Sequence, residues 1–176
     1  MKQKNIIAND GNIKEIVESE IARLGNFADL NHIDVSQVTD MKNCFSRSKF
    51  NGDISNWNVS NVETMRNLFR QSQFNGDISK WDISKVENMN YMFYDSEFNK
   101  NISNWNISNV TGIELMFERS KFRQDISKWN FNPNAFIDGD LGRVLENSHI
   151  IRRKKECDEL KLNLAKRSTD KNAKSL

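Results

Sequence analysis

Asn51-Gly52-Asp53-Ile54-Ser55-Asn56-Trp57 returns as Asn75-Gly76-Asp77-Ile78-Ser79-Lys80-Trp81. It returns again, in weaker form, as Asn99-Lys100-Asn101-Ile102-Ser103-Asn104-Trp105 and Arg123-Gln124-Asp125-Ile126-Ser127-Lys128-Trp129. The step from Asn51 to Asn75 is 24 residues, and it holds throughout. A fixed period of this length marks units that cannot bury their apolar faces alone and stack on their neighbours. The expectation is a solenoid, an architecture that binds other molecules over an extended face and seldom does chemistry.

Superposing the chain at this offset gives clean columns. Leu30, Ile54, Ile78, Ile102 and Ile126 share one, and Ile33, Trp57, Trp81, Trp105 and Trp129 the next. Val35, Val59, Ile83, Ile107 and Phe131 follow. Trp57 and Val59 are two apart, so they point to one side of a short strand. This is the leucine-rich-repeat pattern with Trp in place of a Leu. Farther along, Val62, Met65, Leu68 and Phe69 fall at helical spacing, as do Val86, Met89, Met92 and Phe93. Ser36, Ser60, Ser84 and Ser108 precede these runs where an N-cap belongs, each cap worth about 1 kcal/mol. Glu63 and Glu87 lie where they complete capping boxes. The fold expected is therefore an α/β solenoid, leucine-rich-repeat-like, with short parallel strands on one side, short helices on the other, and helical caps.

The ends differ from the middle. Ile13, Ile16, Val17, Ile21 and Leu24 make one apolar stripe that stops at Gly25, which reads as a capping helix. Asn132 takes the place of the capping serine, and Pro133 falls at the first helical position. Ile150, Cys157, Leu160 and Leu164 are spaced for a further helix face. The organisation expected is an N-terminal capping helix over 1–25 and 24-residue repeats over 26–131. A degenerate last repeat with a C-terminal capping helix covers 132–166, and a disordered tail 167–176. The Met1 start and the capped ends favour a complete chain.

Composition narrows the function. A formal net charge of +2 over 176 residues gives no global pull toward nucleic acid or acidic membranes. No stretch is long and apolar enough for a membrane span. The first ten residues carry two lysines and no apolar core, unlike a signal peptide, which points to the cytoplasm. Cys44 falls in an apolar column, and the two cysteines imply no disulfide framework. His32 lies in an outward column with Asn56, Lys80, Asn104 and Lys128, so an exposed residue is expected. The Asp53, Asp77, Asn101, Asp125 column reads as turn residues accepting main-chain N–H groups rather than a cation ladder, because Asn101 lacks the charge. The tryptophans read as core, each indole N–H needing an acceptor that the sequence does not name. No catalytic set, metal-ligand spacing or phosphate-binding loop is present, so neither enzyme activity nor a cofactor nor a metal is expected.

Two surfaces are candidates for a protein partner. The strand side presents Asn56, Lys80 and Asn104 beside Asn58, Asp82 and Asn106, a polar face able to donate and accept hydrogen bonds. On the opposite side Tyr91, Tyr94 and Leu115 stand where other repeats place polar residues, an apolar anchor of the kind partners use. Nucleic acid is a further possibility through Arg152, Arg153, Lys154 and Lys155, in a tail with nine Lys/Arg against four Asp/Glu from Asn147 onward. That segment has no interleaved aromatics, which single-strand binders use. An adhesive, self-associating module is the other alternative.

These columns resemble the BspA-like bacterial surface-protein repeat family, a relative of leucine-rich-repeat proteins. The motif carrying the resemblance is Phe50-Asn51-Gly52-Asp53-Ile54-Ser55-Asn56-Trp57, followed by Val59, Ser60, Val62, Met65 and Phe69. Residues 74–93 match it nearly throughout and 98–117 and 122–129 in part. The resemblance implies adhesion or protein binding without catalytic residues, at a cell surface or in secreted form. The missing signal peptide and lipoprotein cysteine depart from that pattern, and fit instead a bacterial or mobile-element protein acting inside a cell.

Overall fold

The computed structural model describes residues 5–135. A two-residue strand, β1 (Ile6–Ile7), leads into α1 (Ile13–Leu24), and β2 (Ile33–Asp34) follows, pairing in parallel with β1 in the register Ile6 with Ile33. Helix α1 closes at Gly25, whose φ of +93° suits a residue without Cβ and whose N–H bonds Ile21 O at 2.8 Å. Its buried face is Ile13, Val17 and Glu20.

From Leu30 on, each 24-residue unit lies on the next, as the hydrogen bonds show: Asn75 N donates to Asn51 Oδ1 and Asn99 N to Asn75 Oδ1, at 2.8 and 2.9 Å. The apolar columns form one continuous core. The rings repeat with it. Phe50, Phe74, Phe98 and Phe122 stack at 6.1, 6.4 and 6.2 Å between centroids, their planes within 5°. Phe45, Phe69, Phe93 and Phe117 make a second column at 5.4 to 5.7 Å. Trp57 lies parallel to Trp81 at 6.5 Å.

The short helices expected over each Val-Met-Phe run are not α-helices. In 41–48 every second N–H leaves the segment: Met41, Asn43, Phe45 and Arg47 donate to the carbonyls of Thr64, Arg66, Leu68 and Arg70 in the next unit. The intervening groups close turns, Cys44 N to Met41 O, Ser46 N to Asn43 O and Ser48 N to Phe45 O. The outward donors repeat in 65–71 and 89–95. Asn43 and Arg47 have φ of +62° and +61° at the third position of their turns, which makes those turns type II. The same positions are left-handed at Asn67, Gln71, Tyr91, Asp95, Leu115 and Arg119. Apolar residues three and four apart are thus buried by a run of β-turns. The ladder between units takes the N–H groups a helix would have kept.

The serines are not N-caps either. Ser60, Ser84 and Ser108 give their N–H groups to Asn58, Asp82 and Asn106. Glu63 N bonds Thr39 O instead of completing a capping box. The expected strands are also sparser than the pattern implied. Among the described residues the parallel bridges between units fall at Asp29 with Asp53, and along Asp40, Thr64, Asn88 and Gly112, not at the Trp-x-Val positions.

The N-terminal segment imitates a missing unit. Glu63 N and Thr64 N both bond Thr39 O, and the equivalent pairs bond Glu63 O and Glu87 O. At the first unit the Asp10 carboxylate takes the place of that carbonyl and receives Thr39 N at 2.7 Å and Asp40 N at 3.0 Å. The expected last repeat beyond Ala135, the C-terminal helix and the tail lie outside the described residues.

Candidate functional site

The half-buried rings of Tyr91 and Tyr94 meet at 5.9 Å between centroids, tilted by 59°. The Arg70 guanidinium, one unit earlier, lies 5.3 Å from the Tyr94 ring centre, within cation–π range. Leu115 occupies the column of Tyr91 one unit later and is half-buried. The backbone holds both in place. Asn43 and Asn67 take φ near +60° readily, whereas Tyr91 at +60° and Leu115 at +51° pay about 1–2 kcal/mol each for it. Interlocked ladders sustain that strain, and the side chains gained are an aromatic ring and an aliphatic one on the outer face of the turns. Arg70 was absent from the candidate set, although it is the residue 24 positions before Tyr94.

The polar face lies elsewhere on the surface. Asn56, Asn58, Lys80, Asp82, Asn104 and Asn106 are all exposed. Asn58, Asp82 and Asn106 each use one side-chain oxygen on the following serine N–H, at 3.1 to 3.2 Å. The Ser84 hydroxyl and N–H hold the Asp82 carboxyl below its ordinary pKa. Beside Lys80 a shallow groove of about 340 Å³ runs over Gly52, Asp53, Ser55, Gly76 and Asp77. Its carboxylates are engaged: Asp53 accepts Ser55 N and Asp77 accepts Ser79 N, at 2.8 and 2.9 Å, and these bonds lower both pKa values. Asn101 and Asp125 make the same bond. No group of three or more His, Cys, Asp or Glu placed to hold a metal occurs among the described residues.

His32 departs from its expected exposure. Its side chain is only 6% exposed, and Nε2 lies 2.7 Å from Glu20 Oε2 on α1. Arg23 donates to the same carboxylate, which holds Glu20 below its ordinary pKa, with His32 adding to the effect. Helix α1 covers a column that stays open in later units, which is why Asn56 and Lys80 are exposed and His32 is not. Cys44 is buried, and burial pushes its thiol up to about 12. The tail cluster Arg152, Arg153, Lys154 and Lys155 lies outside the described residues. No helix among the described residues is long and apolar enough to cross a membrane.

The stacked 24-residue units carry this aromatic cluster on the outer face of their turns. Residues 13–129 match the family described as "Mycoplasma protein of unknown function, DUF285", and the chain belongs to that family. No curated protein and no solved structure matches the chain.

Proposed function

We propose that this protein is a non-catalytic protein-binding solenoid of BspA-like, leucine-rich-repeat-related type, with runs of β-turns where an α/β solenoid carries helices. The observation that carries the reading is the Arg70–Tyr94–Tyr91 cluster, in columns that hold Asn43, Asn67 and Ser46 in earlier units. Tyrosine and arginine are the residues most enriched among interface anchors. Tyr91 is kept there against its backbone preference, and strain of this kind collects at functional sites. The polar face with Asn56, Asn58 and Lys80 is the second candidate surface.

The test is affinity capture from a lysate of the encoding organism, comparing wild type with Tyr91→Asn/Leu115→Asn. Asparagine already occupies this column at Asn43 and Asn67, so the variant removes the patch without straining the fold. A protein retained by wild type and lost by the variant is the expected result. A protein retained by both would move the site to the polar face. Nothing retained by either would sink the reading.

A further inference from the structure

The outer face of the turns is charged with opposite sign at its two ends. In the first two rows, 41–49 and 65–73, the outward residues include Lys42, Arg47, Lys49, Arg66 and Arg70, with no acid among them. In 89–96 and the position after it come Asp95 and Glu97, and in 113–120 Glu114 and Glu118. Arg119 and Lys121 interrupt the acidic half at its rim, and Arg119 is drawn to Asp95 at 3.8 Å. The aromatic cluster sits at the border between the halves.

We infer that this face binds a second copy of the chain in antiparallel orientation, which rests on the protein-binding reading above and names its partner. A two-fold axis lying in the contact and crossing the stack reverses the order of rows and keeps each column against itself. Lys42 of one copy then faces Glu114 of the other, Arg70 faces Tyr94, and Asn67 faces Tyr91. The guanidinium–tyrosine contact seen within the chain at 5.3 Å is thereby repeated between chains. A parallel arrangement sets basic rows on basic rows and is repulsive. In the antiparallel pair Arg47 faces Arg119, so the contact is confined to the three columns led by Lys42, Asn43 and Ser46.

Four rows about 4.8 Å apart and three columns make a patch on the order of 300 Å² per copy, below the roughly 800 Å² of a standard interface. The association is therefore weak and salt-sensitive.

Sedimentation velocity of the full chain across concentration, at low and high salt, measures it. Two charge reversals within those columns decide the geometry: Lys42→Glu/Arg66→Glu and Glu114→Lys/Glu118→Lys. All four sites are outside the buried core, and circular dichroism checks that each variant folds. Each variant alone is expected to lose self-association about tenfold or more, while an equimolar mixture of the two recovers it, because each then carries the charge the other needs. A wild type that stays monomeric at all concentrations, variants that self-associate like wild type, or a mixture that fails to pair would each overturn the inference. A monomeric wild type that still captures another protein through Tyr91 and Leu115 would overturn it while leaving the protein-binding reading intact.

Discussion

The indole N–H of Trp81 donates to the main-chain carbonyl of Ile54, 27 residues earlier and one unit away, at 3.2 Å. Trp57, Trp105 and Trp129 do the same with Leu30, Ile78 and Ile102. Each tryptophan therefore fills its own unit and bonds its neighbour. Trp81→Phe removes one of the two N–H groups on the Ile54 carbonyl, which keeps Trp57 N at 3.2 Å, and empties part of the ring's volume. The expected loss is about 1–3 kcal/mol in denaturant unfolding. A loss below about 0.5 kcal/mol, the range of neutral surface substitutions, would mean the bond contributes little.

Gly52 and Gly76 occupy one column but should not respond alike. A Cβ on Gly52 would lie 2.0 Å from Ala28 O, a main-chain atom that cannot swing aside. On Gly76 the nearest main-chain atom, Gly52 O, is 3.1 Å away, and the tighter contact at 2.7 Å is with the Phe74 ring. Gly52→Ala should cost about 2–3 kcal/mol and Gly76→Ala distinctly less. Thermal unfolding of the pair checks the order; equal losses would show that the first contact relaxes freely.

Asn67 stands at φ +57° in the left-handed region. A β-branched side chain there is strained, so Asn67→Val should destabilise by about 1–2 kcal/mol, while Asn67→Gly should be neutral or better. A helical segment would give the opposite order, since glycine is the worse helix former. The two variants thus test the turn ladder directly.

Acid should weaken the stack at known places. Partial burial raises the Asp10 pKa, but the N–H groups of Asp40 and Thr39 outweigh it and hold the carboxyl below its ordinary value. Serine N–H groups do the same for Asp34, Asp53 and Asp77. A carboxyl whose pKa is depressed on folding contributes stability that is present above its unfolded pKa and lost as pH falls through the folded one. The melting temperature should therefore hold down to about pH 4 and fall below it. Asp77→Asn should flatten part of that fall and leave neutral pH almost unchanged, because Asn101 already makes the same bond with an amide oxygen. A steeper acid fall in that variant would remove the carboxylates as its cause.

Much of this was legible in the residues themselves. The period, the register of the columns, the aromatic ladders and the turn role of the Asp53 column follow from side chains, since burial selects the same residue type at every step. Tyr91, Tyr94 and Leu115 stand out because they break columns otherwise polar. Arg70 was legible only as a neighbour 24 residues away, and its place over the Tyr94 ring needed coordinates.

The sequence by itself therefore determined what is inside and how often. The tertiary structure decided where the main-chain N–H groups go. Apolar spacing of three and four is common to a helix and to a run of turns, and it does not encode hydrogen bonds. The acceptors of Met41, Asn43, Phe45 and Arg47 lie in another unit, 23 residues on, and exist only once the units have stacked. For the same reason Asp10 became intelligible as the carbonyl of an absent neighbour, and His32 as a residue covered by α1. Their partners are set by proximity in space, which a column of letters does not contain.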